Sequence, residues 1–452
     1  MSENRVVDEM ERLDKLGDYL VVRGNKALSG QIKVRGAKNF VSKAMVAALL
    51  GRRTPSVLKN VPNIRDVQVV SDLLRLHGCR VDYEPEKGVI CIDSANVSHA
   101  EVVDVDTLAG SSRIPVLFCG PLLHRLGEAF IPSLGGCDIG GRPVDFHFDA
   151  LRKFGAIITK EESGIHITAP AGLRGTKIRL PYPSVGATEQ VLLTAVCASG
   201  KTELSNAAVE PEILNEIDVL QKMGALITID TDRVIHIEGV SDIKGFTHTA
   251  LTDRMEVASW ASAALSTHGD IFISGAKQSH MTTFLNVFRK VGGEFDIYDD
   301  GIRFYYPGGK LQSIPLETDV HPGFMTDWQQ PFAVVLTQVH GLSIVHETVY
   351  EQRFDFTKAL CRMGANIQLY KECLGSRACR FEERNFKHSA VIAGPTKLHG
   401  ANILVPDLRG GFSHVVAAMT AVGESKVYGI SLINRGYEAF TEKLLALGTD
   451  ID

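Results

Sequence analysis

Leu76-His77-Gly78-Cys79-Arg80-Val81 ends an apolar helical pattern with a glycine and then opens an alternating strand. The phrase returns as Leu151, Phe154, Gly155, Ala156 and Ile157, and as Leu220, Met223, Gly224, Ala225 and Leu226. It recurs as Phe288, Val291, Gly292 and Gly293, then as Leu360, Met363, Gly364 and Ala365, and finally as Leu444, Leu447 and Gly448. Each glycine sits where a helix end calls for a left-handed residue, which glycine alone adopts without steric cost. After it the pattern predicts strand, tight turn, strand, as in 156–168 and 225–237. Copies about 70 residues long are too large for a thin solenoid and point to internal duplication. Three copies per half would give two similar domains of mixed helix and sheet. The middle of the chain, near Phe246 to Leu251, is the expected junction.

The 452 residues exceed one ordinary core, so two large domains are the natural division. Hydrophobic residues make up 44% and charged residues 22%, as in soluble globular proteins. A net charge of −5 with scattered arginines gives no footprint for nucleic acid. Met1 to Leu20 is charged and has no apolar core, so it reads as a short helical extension and not as a signal peptide. No apolar run approaches the roughly 18 residues of a membrane span. The eight cysteines show neither C-x-x-C spacing nor Cys/His spacing typical of zinc, and most sit in apolar contexts. A reducing cytoplasm is the expected compartment.

One cysteine differs from the rest. Gly135-Gly136-Cys137-Asp138-Ile139-Gly140-Gly141-Arg142-Pro143-Val144-Asp145-Phe146 sets a thiol among four glycines, next to an arginine and a predicted helix start. Cationic neighbours and helix N-termini lower a thiol pKa, so Cys137 reads as a reactive cysteine on an exposed loop. Other loops enter apolar helices with charged or small residues. Gly36-Ala37-Lys38-Asn39 could hold an anion, although it lacks the full P-loop pattern. Arg113 precedes the apolar run 114–123, and Ser184-Val185-Gly186-Ala187 opens another, read equally as a loop presenting N–H groups to a phosphate or sugar or as a helix cap by Ser184. Asp327 is either a cap or a general base, and its position favours the cap. Arg353 and Arg409 lie at comparable places in later repeats. Arginines at successive helix starts would suit a strongly anionic ligand if those starts converge.

Taken together, these motifs resemble the UDP-N-acetylglucosamine 1-carboxyvinyltransferase family of enolpyruvyl transferases, relatives of 5-enolpyruvylshikimate-3-phosphate synthase. The likeness runs from about Leu20 to the C-terminus. It also includes Glu210-Pro211-Glu212-Ile213, Asp407-Leu408-Arg409 and Arg435-Gly436-Tyr437-Glu438. The resemblance implies an α/β fold of two inside-out, barrel-like domains, each of three units with buried helices and outer sheets. It places an extension at 1–18, one domain at 38–250 and the other at 19–37 plus 251–452. It implies transfer of the enolpyruvyl group of phosphoenolpyruvate to the 3-hydroxyl of UDP-N-acetylglucosamine, with domain closure on substrate and no cofactor or metal. Cys137 matches the proton donor and Asp327 the base. Lys38, Arg113, Arg142 and Arg409 would neutralise phosphoenolpyruvate, with Arg353 nearby. Asn39, Arg142, Pro143, Val144, Asp145, Phe146, Ser184, Val185, Gly186 and Val349 would contact the sugar nucleotide.

The chain departs from the family pattern in places. Tyr182 stands where a lysine is usual, Phe146 replaces a leucine, and Tyr350 a phenylalanine. The cysteine- and charge-rich segment Lys371 to Lys387 is also atypical. Two alternatives remain: an enolpyruvyl transferase acting on another nucleotide, or a non-catalytic regulator that binds a nucleotide sugar.

Overall fold

All six repeat glycines adopt positive φ: Gly78 at 81°, Gly155 at 99°, Gly224 and Gly292 at 110°, Gly364 at 98° and Gly448 at 80°. At Gly224, the helix Pro211–Met223 ends with the Ala225 N–H returning to the Leu220 carbonyl at 3.0 Å, and the strand Leu226–Asp230 begins at once. The repeat read from the sequence is thus a helix stop followed by an antiparallel strand pair in the first five copies, while after Gly448 the strand Asp450–Ile451 pairs with Tyr19–Arg23 instead. These coordinates come from a computed structural model that describes residues 3–109, 112–132, 144–162, 164–377 and 379–452.

The described chain divides into two compact units. One runs from Thr252 to the C-terminus and includes the N-terminal stretch to Val34, and the other takes in residues 35–251. Arg35, Gly36 and Ala37 fall in the second unit, where Gly36 N–H bonds the Asn60 carbonyl at 2.9 Å and Ala37 N–H bonds that of Leu251 at 2.8 Å.

Among the described residues each unit carries three separate sheets, mixed except for the antiparallel sheet of Glu128–Pro132, Gly164–Thr168 and Ile157–Glu161, and none closes into a barrel. In the 35–251 unit, Lys201–Ser205 runs parallel to Lys177–Arg179 and antiparallel to Val234–Glu238, with Leu204 facing Ile178 and Ile235. The other unit repeats this plan but borrows strands from the N-terminus. Ser29–Lys33 pairs in parallel with Asp270–Ser274, and Tyr19–Arg23 pairs antiparallel with Glu424–Tyr428. The extension forms a helix, Glu3–Leu16, that buries Leu13 and ties Asp14 to Lys426.

Helices fill the inside of each unit. Arg254–Ser266, Thr326–Leu336 and Leu408–Thr420 pack against one another, and every residue of the first is buried. Their alanine, serine and valine content explains this, because a helix apolar all round must be enclosed. Trp260 anchors the trio. Its ring meets Phe412 edge-on at 4.8 Å and its Nε1 donates to Glu256 at 3.0 Å, which satisfies its one polar atom. The second helix of each repeat is amphipathic. Thr282–Val291 turns Phe284, Leu285, Phe288 and Val291 inward and ends in Arg289 and Lys290. Lys38–Ala47, Pro115–Leu126 and Val185–Ala195 are the buried helices of the other unit. Packing three central helices together gathers the residues at their N-termini, and that gathering builds the site.

Candidate functional site

In the unit that ends the chain, the three central helices begin at Arg254, Thr326 and Leu408. Asp253 caps the first, accepting the N–H groups of Met255 at 2.8 Å and Glu256 at 3.2 Å. Asp407 caps the third, accepting those of Arg409 at 2.9 Å and Gly410 at 3.0 Å. The second differs from the sequence expectation. Its N-cap residue is Met325, which offers no side-chain bond, so Asp327 is not a cap. Its carboxylate turns instead to two arginines, with Oδ1 2.5 Å from Arg353 Nη2 and Oδ2 3.7 Å from Arg409 Nε. Asp327 remains 19% exposed at the side chain while Arg353 is 1% exposed, so the carboxylate is the reachable member of the pair.

Both arginines are held charged. Burial opposes the charge on Arg353, but Asp327, Asp407, Tyr350 and Glu347 outweigh it and raise its pKa. Burial likewise opposes the charge on Arg409, and Tyr437, Asp253 and Asp327 more than offset it. Arg409 Nη1 donates to the Tyr437 hydroxyl at 2.8 Å, and Nη2 lies 3.9 Å from Asp253. Nε and Nη1 of Arg353 are buried without a hydrogen-bond partner among the described residues. Unsatisfied charged donors are costly, and an anionic ligand is a natural way to complete them.

Glu347 positions this corner, and the sequence reading passed over it. It is fully buried, which raises its pKa, while hydrogen bonds from Thr326, Tyr350 and Val349 and the charge of Arg353 pull the other way. One oxygen accepts the N–H groups of Val349 at 2.6 Å and Tyr350 at 2.9 Å. The other accepts the Thr326 hydroxyl at 2.8 Å and the Gln329 amide. Val349 is thereby fixed relative to the start of the Asp327 helix. No local pattern could have singled out Glu347, because half its partners lie 18 and 21 residues away. Tyr437, by contrast, lay within a motif already noted.

In the 35–251 unit the predicted residues form two groups. Lys38 opens the helix Lys38–Ala47, which has no side-chain cap, with Asn39 beside it, and its Nζ lies 2.7 Å from Asp66. The second group joins two helix starts. Ser184 caps Val185–Ala195, one of its two sequence readings, its hydroxyl accepting the Ala187 N–H at 3.4 Å. Asp145 and Phe146 open the helix Asp145–Lys153 after Val144, and that helix brings His147 against Gly186. A Cβ at Gly186 would stand 3.1 Å from His147 Nε2, so the absence of a side chain lets the two helix starts approach. Burial drives the His147 pKa down to about 4; the Gln190 side-chain bond raises it in opposition, and the positive charge of Arg113 lowers it further. His147 is therefore neutral at pH 7, and Arg113 is near enough for its charge to act there.

Cys137, Arg142 and Pro143 lie outside the described residues. A groove of 610 Å³ lined by Thr282, Leu285, Arg289 and Tyr298 holds none of the residues above and is not the candidate site.

Comparisons with known proteins bear on the family and the fold of this chain. Residues 22–444 match the family described as EPSP synthase (3-phosphoshikimate 1-carboxyvinyltransferase). Among curated proteins, the UDP-N-acetylglucosamine 1-carboxyvinyltransferase of Protochlamydia amoebophila is 47% identical, covering 96% of this chain and 94% of that protein. That of Chlamydia trachomatis serovar D is 44% identical over 95% of this chain and 97% of its own. UDP-N-acetylglucosamine 1-carboxyvinyltransferase 1 of Staphylococcus aureus is 36% identical over 96% and 99%. Among solved structures, the enolpyruvyl transferase NikO from Streptomyces tendae superimposes with a TM-score of 0.85 at 20% identity, covering 96% of this chain and 98% of that one. EPSP synthase from Acinetobacter baumannii gives 0.72 at 17%, covering 96% of this chain and 100% of that one. Both share the fold of this chain.

Proposed function

This chain belongs to the UDP-N-acetylglucosamine 1-carboxyvinyltransferase family of enolpyruvyl transferases, and on that premise we propose that it transfers the enolpyruvyl group of phosphoenolpyruvate to the 3-hydroxyl of UDP-N-acetylglucosamine, releasing phosphate, in peptidoglycan precursor synthesis. The observation that carries the reading is the likeness to enzymes of that name at 36 to 47% identity along nearly their whole length. The cytoplasm is the proposed compartment, since the acceptor is a soluble nucleotide; no helix of the described residues is long and apolar enough to cross a membrane.

In the proposed reaction Asp327 takes the proton of the sugar 3-hydroxyl, and that oxygen attacks C2 of phosphoenolpyruvate. Cys137 delivers a proton to the methylene carbon, giving a tetrahedral intermediate that still carries phosphate. Loss of a proton from the new methyl group then expels inorganic phosphate and leaves the enol ether. A positioned acid and base each contribute typically 10²–10⁴-fold. Lys38, Arg113, Arg142, Arg353 and Arg409 would neutralise the carboxylate and phosphate, and stabilise the charge of the intermediate. Asn39, the 143–146 turn, Ser184, Val185, Gly186 and Val349 would hold the sugar nucleotide. The epoxide fosfomycin, which mimics phosphoenolpyruvate, would alkylate Cys137.

Phosphate release measured with phosphoenolpyruvate and a panel of nucleotides tests the proposal. Release should require UDP-N-acetylglucosamine and yield one enolpyruvyl ether per phosphate. Turnover only with another nucleotide, or binding with no turnover, would refute it.

A further inference from the structure

His346, Cys373, Cys379 and His388 each turn one ligand-capable atom toward a common point, all within 4.8 Å of one another. The sequence reading expected no metal site. Spacing concealed this one, because His346 comes from a different strand, Gly341–His346, from the segment that bears the other three. That segment is the atypical one, running from the end of the strand Asn366–Tyr370 to the start of Ser389–Gly394. Its described residues form no helix or strand, and a connection that long inside a compact domain is usually functional or a flexible linker.

The hydrogen bonds determine which nitrogen of each histidine is free. Ser389 gives its hydroxyl proton to the Glu372 carbonyl at 2.7 Å, so toward His346 Nδ1, 2.9 Å away, it can only accept. Nδ1 of His346 therefore carries the proton, and the Nε2 lone pair is left. That Nε2 is buried and has no hydrogen-bond partner among the described residues. His388 repeats the arrangement. Its Nδ1 lies 2.9 Å from the Phe386 carbonyl, which can only accept, so its lone pair is also on Nε2, 3.3 Å from Cys373 Sγ. An outer partner that fixes the tautomer is the usual companion of a metal-bound histidine. Both rings are fully buried, and Gly375 makes room: a Cβ there would stand 2.4 Å from His346 Cδ2.

We propose that His346, Cys373, Cys379 and His388 bind a structural zinc ion that clips the 371–388 segment to the strand Gly341–His346. Two thiolates and two imidazoles are a tetrahedral zinc donor set. Around zinc the donors would stand roughly 3.3–3.8 Å apart, so closure from the present spacing needs side-chain shifts of about 1 Å. Binding replaces the thiol proton of each cysteine, released to solvent, with a zinc–sulfur bond. The clip reaches the candidate site through the backbone. The His388 carbonyl accepts the Glu347 N–H at 2.8 Å, and Arg380 donates to the Val349 carbonyl. Zinc thus orders the loop that holds Glu347 and Val349 and takes no part in the chemistry.

Protein purified without chelator and equilibrated with zinc should hold about one zinc per chain by elemental mass spectrometry. Cobalt substitution should give the absorption of a tetrahedral cobalt thiolate, and zinc X-ray absorption should show sulfur at about 2.3 Å and nitrogen at about 2.0 Å. The double variant Cys373→Ser, Cys379→Ser should lose nearly all the metal, whereas Cys361→Ser should keep it. Zinc returned to stripped protein should raise Tm by several degrees and slow proteolysis within 371–388. Absence of zinc in the wild type would overturn the proposal, as would oxygen-only coordination, stoichiometric iron or copper, or a Cys373–Cys379 disulfide in peptides mapped without reductant. Zinc retained by the double variant would overturn it too. If that variant does not fold, the cobalt spectrum and X-ray absorption of the wild type still decide.

Discussion

Asp327 Oδ1 lies 2.5 Å from Nη2 of the buried Arg353, while its Oδ2 faces Arg409 at 3.7 Å. The two arginines fix the direction of a carboxylate whose surface remains open, as a positioned base requires. Asp327→Asn keeps the shape and removes the charge. Its kcat for phosphate release should fall about 10²–10⁴-fold with much smaller change in UDP-N-acetylglucosamine affinity. Tm should fall as well, because Arg353 loses a buried counter-charge. Steady-state kinetics beside calorimetric titration of the sugar nucleotide checks this. An Asn variant that keeps half its turnover would remove Asp327 from proton transfer.

How much of this was legible in the sequence depends on the distance over which each feature is set. The six glycines were readable because a helix stop is a local event, and all six take positive φ. Ser184 was readable as a cap for the same reason. Asp327 was misread as a cap because Asp before an apolar run fits that pattern, whereas the competing attraction comes from Arg353 and Arg409, distant in sequence. Glu347 and the His346, Cys373, Cys379, His388 cluster were hidden in the same way. Their partners meet only once strands pair, as when Gly341–His346 aligns His346 with Ser389.

Glu347 should behave as a positioning residue. Glu347→Ala strands the Val349 and Tyr350 N–H groups and two side-chain donors, so unfolding free energy should fall by about 2–4 kcal/mol. KM for the sugar nucleotide should rise more than kcat falls, since Val349 is displaced. Glu347→Gln should restore most of both, because the unpartnered Gln329 Oε1 can turn to accept the new amide. Urea titration and kinetics of the two variants provide the check. An Ala variant with wild-type stability and KM would show that the loop holds itself.

Buried carboxylates in the 35–251 unit give a pH prediction. Burial raises the Glu189 pKa from 4.5 to about 7, with Lys43 at 3.7 Å opposing and Glu212 and Glu210 adding to the rise. Glu216 is raised well above 4.5, again by burial first and then by Glu189. The folded state therefore holds protons that the unfolded chain has released. The part due to Glu189 is fully present below pH 4.5, falls as pH rises through the window, and is lost above about 7. Glu189→Gln, which cannot titrate, should flatten the decline. Unfolding free energies for both proteins across pH 4.5–8 settle the matter; parallel curves would mean that Glu189 is ionised throughout.

The last prediction compares the cysteines with one another. Burial drives the thiol of Cys79 up to about 12 and that of Cys197 to about 11, and it raises Cys119 as well. Cys91 and Cys361 are also raised, first by burial. Such thiols hold little thiolate at neutral pH and react slowly. Cys137, among glycines and beside Arg142, has the sequence setting of a reactive one. Fosfomycin should inactivate the enzyme over time, faster with UDP-N-acetylglucosamine present, and peptide mass spectrometry should find one dominant adduct at Cys137. Cys137→Asp should resist the drug and retain turnover with its optimum moved to lower pH, where a carboxyl group still carries the proton it must donate. Cys137→Ala should lose most turnover while binding the sugar nucleotide almost normally. A fully active Ala variant, or an adduct mainly on another cysteine, would take Cys137 out of the mechanism.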